Sequence, residues 1–125
     1  MEDGYYNNYN TYSGSDNRGC FKNCNSLVSV TFPSTLINIG ECAFYGCSSL
    51  RTITMGDGLV KIGEGAFANC YSLENVVLGL NTESIGNEAF YNCSRLNNVE
   101  FNPNLKRIEK GAFAYSSLHR LNFPS

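Results

Sequence analysis

A strict period of 23 residues governs this chain. Cys24, Cys47, Cys70 and Cys93 recur at that interval, as do the pairs Ala43-Phe44, Ala66-Phe67, Ala89-Phe90 and Ala112-Phe113, with Cys20-Phe21 in the same register at the front. The same spacing carries Leu27, Leu50, Leu73 and Leu96, then Val30, Ile53, Val76 and Val99, then Phe32, Met55, Leu78 and Phe101, and finally Ile39, Ile62, Ile85 and Ile108. It slips once. Within Ala114-Tyr115-Ser116-Ser117-Leu118 one residue is lost, so Leu118, Leu121 and Phe123 arrive one position early and the cysteine is absent. Self-similarity of this kind means that each unit supplies one supersecondary element, unable to bury its apolar face alone, and that neighbouring units stack to make a continuous core.

The unit itself is legible in Leu50-Arg51-Thr52-Ile53-Thr54-Met55, an L-x-x-L-x-L pattern within a repeat of 20 to 29 residues, the signature of a leucine-rich repeat. Each repeat is expected to give one short parallel strand and an irregular or 3-10 return segment. Residues two apart share a face of a strand, so Ile53 and Met55 point inward while Thr52 and Thr54 point out. Stacking places equivalent residues about 4.8 Å apart, which turns each periodic position into a ladder. The phenylalanine and isoleucine ladders are then the core, and a leucine-rich-repeat solenoid over residues 20–125, about five repeats with the last incomplete, is the expected fold.

The run Ile-Gly-Glu-x-Ala-Phe-x-x-Cys-x-x-Leu-x-x-Ile, from Ile39 to Ile53, resembles the repeat of the BspA-like family. That resemblance implies a non-catalytic protein of the cell surface or secreted fraction, of the kind implicated in adhesion and in binding other proteins.

Composition narrows the alternatives. The formal net charge of −2 and the absence of any Lys/Arg run argue against nucleic acid as a partner, which calls for a basic face. No stretch approaches the roughly 18 apolar residues of a membrane span. Met1-Glu2-Asp3-Gly4 places acids where an export signal has a basic start, so no signal peptide is expected in this chain.

The residues that could carry chemistry are mostly absorbed by the period. The cysteine ladder occupies the place where many leucine-rich repeats carry Asn bonded to turn backbone, and a thiol can do this weakly while packing as a small apolar group. Cys47 and Cys70 are therefore expected to be reduced and buried. Cys20 and Cys42 lie off the ladder, on adjacent turns, where a disulfide between them is one alternative. A zinc site of Cys20, Cys24, Cys42 and Cys47 is another, disfavoured by spacings unlike C-x₂-C. His119, the only histidine, has no nucleophile or carboxylate in a catalytic pattern beside it. Gly40, Gly63 and Gly86 fall on the period and are expected to be turn positions with unusual backbone angles. Asn92-Cys93-Ser94 matches a glycosylation acceptor, but with a core cysteine at its centre it is not expected to be modified. No catalytic residue, cofactor or metal is assigned.

What remains is surface. The outward strand positions form two columns, Ser29, Thr52, Asn75, Asn98 and Arg120, then Thr31, Thr54, Val77, Glu100 and Asn122. Short polar side chains of this sort suit either a solvated sheet or a low-affinity protein-binding face. Residues 1–19, with Tyr5, Tyr6, Tyr9 and Tyr12 among asparagines, read as a flexible tail or, because Tyr9 lies one period before Phe32, as a degenerate cap. Leu121-Asn122-Phe123-Pro124-Ser125 repeats Val30-Thr31-Phe32-Pro33-Ser34, which leaves a strand edge to be met. Lys106, Arg107, Lys110 and Arg120 against Glu109 make that end basic, whereas Glu2, Asp3 and Asp16 outnumber Arg18 in the tail. Two functions are expected on these grounds: a protein-binding or adhesion module acting through its strand face, and a subunit assembling head to tail, with Tyr5, Tyr6, Tyr9, Tyr12, Leu121 and Phe123 at the meeting ends.

Overall fold

The computed structural model of the protein describes residues 21–118. Each repeat contributes a three-residue strand whose central residue is apolar: β1 (Ser29–Thr31), β3 (Thr52–Thr54), β5 (Asn75–Val77) and β7 (Asn98–Glu100). They form one parallel sheet in the order β1-β3-β5-β7, with Val30, Ile53, Val76 and Val99 in register. β-branched residues at the centre suit a pleated surface buried on one side.

The return path is more regular than the sequence led one to expect. Among the described residues it carries a second strand in four successive repeats, β2 (Asn38–Ile39), β4 (Lys61–Ile62), β6 (Ser84–Ile85) and β8 (Arg107–Ile108), and these make a second parallel sheet, β2-β4-β6-β8. Its inward rungs are Ile39, Ile62, Ile85 and Ile108. The third side consists of successive turns closed by bonds to the carbonyl three residues back, such as Cys47 N to Phe44 O and Leu50 N to Cys47 O, each 3.2 Å. Even these turns are laddered, because Phe44, Phe67 and Phe90 each donate their N–H to the alanine carbonyl of the following repeat at 2.7, 2.7 and 2.8 Å. No helix occurs among the described residues, and none of them forms a span long and apolar enough to cross a membrane as a helix.

Two left-handed residues per repeat bracket the Ala-Phe corner. One set is Cys42, Gly65, Glu88 and Gly111, with φ between 55° and 70°; the other is Asn23, Gly46, Asn69, Asn92 and Tyr115, with φ between 60° and 75°. Gly40, Gly63 and Gly86 are not in either set, which corrects the expectation of unusual angles there. At Gly63 and Gly86 the requirement is space: a Cβ on Gly63 would stand 2.8 Å from Ile39 O and Gly40 C, and one on Gly86 would stand 2.9 Å from Ile62 O. The turns pass too closely there for any side chain.

The core lies between the three sides. Phe21, Phe44, Phe67, Phe90 and Phe113 form an offset parallel stack with centroids 5.0 to 5.3 Å apart and planes within 13° of one another. The spacing follows from the strand repeat, since rings carried on rungs about 4.8 Å apart must slide slightly to avoid face-to-face repulsion. Phe32 packs edge-on against Phe44, and Phe101 against Phe113, while Met55 and Leu78 fill the same column between them.

Candidate binding surface

The first sheet holds its outward side chains in two registered columns. Ser29, Thr52, Asn75 and Asn98 form one; Thr31, Thr54, Val77 and Glu100 form the other. Rungs about 4.8 Å apart and same-face neighbours about 6.7 Å apart give a flat grid of small groups. It is graded along the axis: hydroxyls on β1 and β3, amides and a carboxylate on β5 and β7. Asn98 Nδ2 donates to Asn75 Oδ1 at 3.2 Å, which aligns the two amides along the axis. Beside the grid, Arg51 Nη2 meets Glu74 Oε2 at 3.3 Å in an exposed ion pair. Of the residues singled out from the sequence, Thr52, Thr54, Asn75, Val77, Asn98 and Glu100 are thus brought together. Arg120, Asn122, Leu121, Phe123, Tyr5, Tyr6, Tyr9 and Tyr12 lie outside the described residues, as do Cys20 and His119 with the suggested Cys20–Cys42 link.

A second cluster went unnoticed in the sequence. Along the turn side, the Lys22 ammonium lies 5.3 Å from the Tyr45 ring centroid, Asn69 Nδ2 donates to the Tyr45 hydroxyl at 2.9 Å, and Asn92 Nδ2 donates to Asn69 Oδ1 at 3.1 Å. Tyr91 meets Tyr115 edge-on at 5.5 Å. The signal was the recurrence of Asn23, Asn69 and Asn92 on one column, where Asn tolerates the left-handed backbone. The amide nitrogen that a glycan on Asn92 would need is the one already donating to Asn69.

The cysteine ladder does what was expected of it. Cys47, Cys70 and Cys93 donate their thiols to the carbonyls of Phe21, Phe44 and Phe67 at 3.1, 3.2 and 3.1 Å, capping turn backbone in the preceding repeat. All three are buried and in no disulfide. Burial pushes the Cys47 thiol up to about 12, helped by the neighbouring Cys70, and it also raises Cys24. Cys70 is raised in the same direction, first by the neighbouring Cys93 thiol and then by burial. Among the described residues no group of three or more His, Cys, Asp or Glu is placed to hold a metal, and this includes Cys24, Cys42 and Cys47 of the considered zinc quartet.

Stacked parallel strands, a short return and a turn-capping ladder define a leucine-rich-repeat solenoid. The family described as the BspA-type leucine-rich repeat region matches residues 17–125 in six copies, and the chain belongs to that family. Comparison with curated proteins gives no match. Among solved structures, the chain is similar to a leucine-rich repeat protein of T. pallidum, with 38% identity over 78% of this chain and 45% of that one, at a TM-score of 0.75. It is also similar to a leucine-rich repeat protein of Bacteroides ovatus, with 28% identity, 78% and 31% coverage, and a TM-score of 0.61. A leucine-rich cell surface protein of Faecalibacterium prausnitzii shows 27% identity, 79% and 33% coverage, and a TM-score of 0.53. The chain therefore spans less than half the length of each of these proteins.

Proposed function

We propose that the chain serves as a protein-binding module at a cell surface, acting through the outward grid of the first sheet. The observation that carries this reading is the registered array of Thr52, Thr54, Asn75, Val77, Asn98 and Glu100, a face of short side chains that a partner can approach closely without displacing bulk. Family membership and the cell-surface description of the F. prausnitzii protein support the location. Solenoids commonly bind through such extended repeat faces. The test is an array of secreted and surface proteins probed with the intact chain and with a Thr54→Arg, Asn75→Arg double variant. Binders retained equally by the variant, or no binder at all, would reject the reading; binders lost on the variant but kept by an Asn87→Arg control on the turn side would support it.

A second reading, head-to-tail assembly, rests on the opposite charge of two segments of the sequence, Lys106, Arg107, Lys110 and Arg120 in one against Glu2, Asp3 and Asp16 in the other. Light scattering over a concentration series tests it, and a mass that stays monomeric at high concentration rejects it.

A further inference from the structure

The second sheet carries an arrangement that the strand-face reading does not use. Its outward column runs Asn38, Lys61, Ser84 and Arg107, in register along the axis. Ser84 alternates with the inward Ile85, so it faces outward, yet it is only 8% exposed. Its backbone N–H is bonded to Val60 O, but its hydroxyl has no partner among the described residues. A buried hydroxyl without a partner is costly and calls for an explanation. On either side of it in the column stand two cations, Lys61 and Arg107, about 9.6 Å apart by strand spacing and able to lean over it. Lys61 is exposed and makes no ion pair among the described residues. Arg107 engages Glu109 only through Nε, at 3.1 Å, which leaves both terminal nitrogens of the guanidinium to donate elsewhere. Gly86, next to Ser84 on the same outward face, contributes no side chain to obstruct an approach.

The remaining charges are arranged compatibly. Glu83, in the adjoining column, is held by Lys106 at 3.7 Å. Glu109, one period above Gly86, is bonded to the Arg107 guanidinium; Glu41 and Glu64 lie beyond the glycine column at the lower rungs, and Lys110 lies on their column above.

We propose that Lys61, Ser84 and Arg107 form a site for a tetrahedral oxyanion, a sulfate or phosphate monoester, with the Ser84 hydroxyl and the two cations as its donors. Such a group presents several acceptor oxygens, enough for three donors carried on adjacent rungs, and a guanidinium fork suits it. The site lies on the second sheet, apart from the proposed protein-binding grid.

The experiment is a titration of the isotopically labelled chain followed by amide chemical shifts, at constant ionic strength, with glucose 6-sulfate and with glucose 6-phosphate, and with chloride as reference. Saturable shifts centred on Ser84, Ile85 and Arg107 are expected with at least one ester, and the ester that saturates at the lower concentration identifies the source. Lys61→Ala should weaken binding about fivefold. Glu109→Gln should strengthen it, because the competing carboxylate is removed while the fold is left alone. The proposal is overturned if the shifts rise linearly as with chloride, if they centre elsewhere, or if Glu109→Gln weakens binding.

Discussion

Cys93 donates its thiol to the carbonyl of Phe67, 26 residues earlier in the chain, at 3.1 Å. The same bond joins Cys70 to Phe44 and Cys47 to Phe21, so each cysteine secures the turn of the preceding repeat rather than its own. Replacing Cys70 with Ala removes a buried donor and leaves the Phe44 carbonyl without its thiol partner. A loss of about 1–3 kcal/mol is expected from denaturant unfolding; an unchanged midpoint would show that the thiol bond contributes nothing.

The thiols also link stability to pH. Cys47 is held up to about 12 in the folded state against an ordinary value of 9.0, and Cys70 is raised in the same direction. A group whose folded value is raised stabilises the fold fully below the unfolded value, and that contribution fades as pH climbs from about 9 through the folded value, because the unfolded chain then holds fewer protons. Thermal unfolding should therefore shift downward above pH 9, by less in a Cys47→Ala, Cys70→Ala variant. In the folded protein at neutral pH, Cys47, Cys70 and Cys93 should resist a soluble thiol reagent until unfolding exposes them together. Labelling of any of the three within seconds in the native state would contradict this.

Phe67 sits at the centre of the aromatic stack with no exposed surface, between Phe44 and Phe90 at 5.2 Å on either side. Phe67→Ala is expected to cost about 3–5 kcal/mol, the usual range for a buried phenylalanine. A loss under about 1 kcal/mol in chemical denaturation would place the core elsewhere.

Glu88 adopts φ 55° at a corner where two of the other repeats place Gly65 and Gly111. Left-handed backbone costs a non-glycine residue roughly 1–2 kcal/mol, somewhat more than the entropy a glycine loses on folding. Glu88→Gly should accordingly raise the midpoint slightly, whereas Gly63→Ala should lower it clearly, because its new Cβ meets the backbone of Ile39 and Gly40. The opposite ordering in thermal melts would refute this account of the two columns.

Buried Asn102 donates to the carbonyls of Gly79 and Thr82 and accepts from the Asn104 N–H, tying the loop after β7 to the repeat before it. Asn102→Leu should destabilise by about 1–3 kcal/mol by leaving those groups unpaired. Hydrogen exchange at Asn104 should accelerate with it, and protection that persists would argue for another partner.

The long-range architecture was legible because the 23-residue spacing puts Phe44, Phe67 and Phe90, and Ile53 and Val76, on their ladders before any local propensity is consulted. The second sheet was not, since a strand of two residues such as Lys61-Ile62 is too short to display alternation. Hence Ser84 between Lys61 and Arg107 was invisible as a column. Gly63 was misjudged because a glycine needed for clearance and one needed for a left-handed turn look alike in a sequence. The turns at Cys42 and Glu88 were hidden for the converse reason, as neither residue type announces a positive φ.

Among the described residues the lateral pairings match a residue with its equivalent, or nearly so, one period away: Val30 with Ile53, Ile39 with Ile62, Phe44 with Ala66. An interior block of one period can consequently be duplicated or excised and the surfaces on either side of the cut still fit each other. Length in such a scaffold is a free variable that whole units can lengthen or shorten, and the outward letters of each unit can be changed without touching the ones that hold it in the stack.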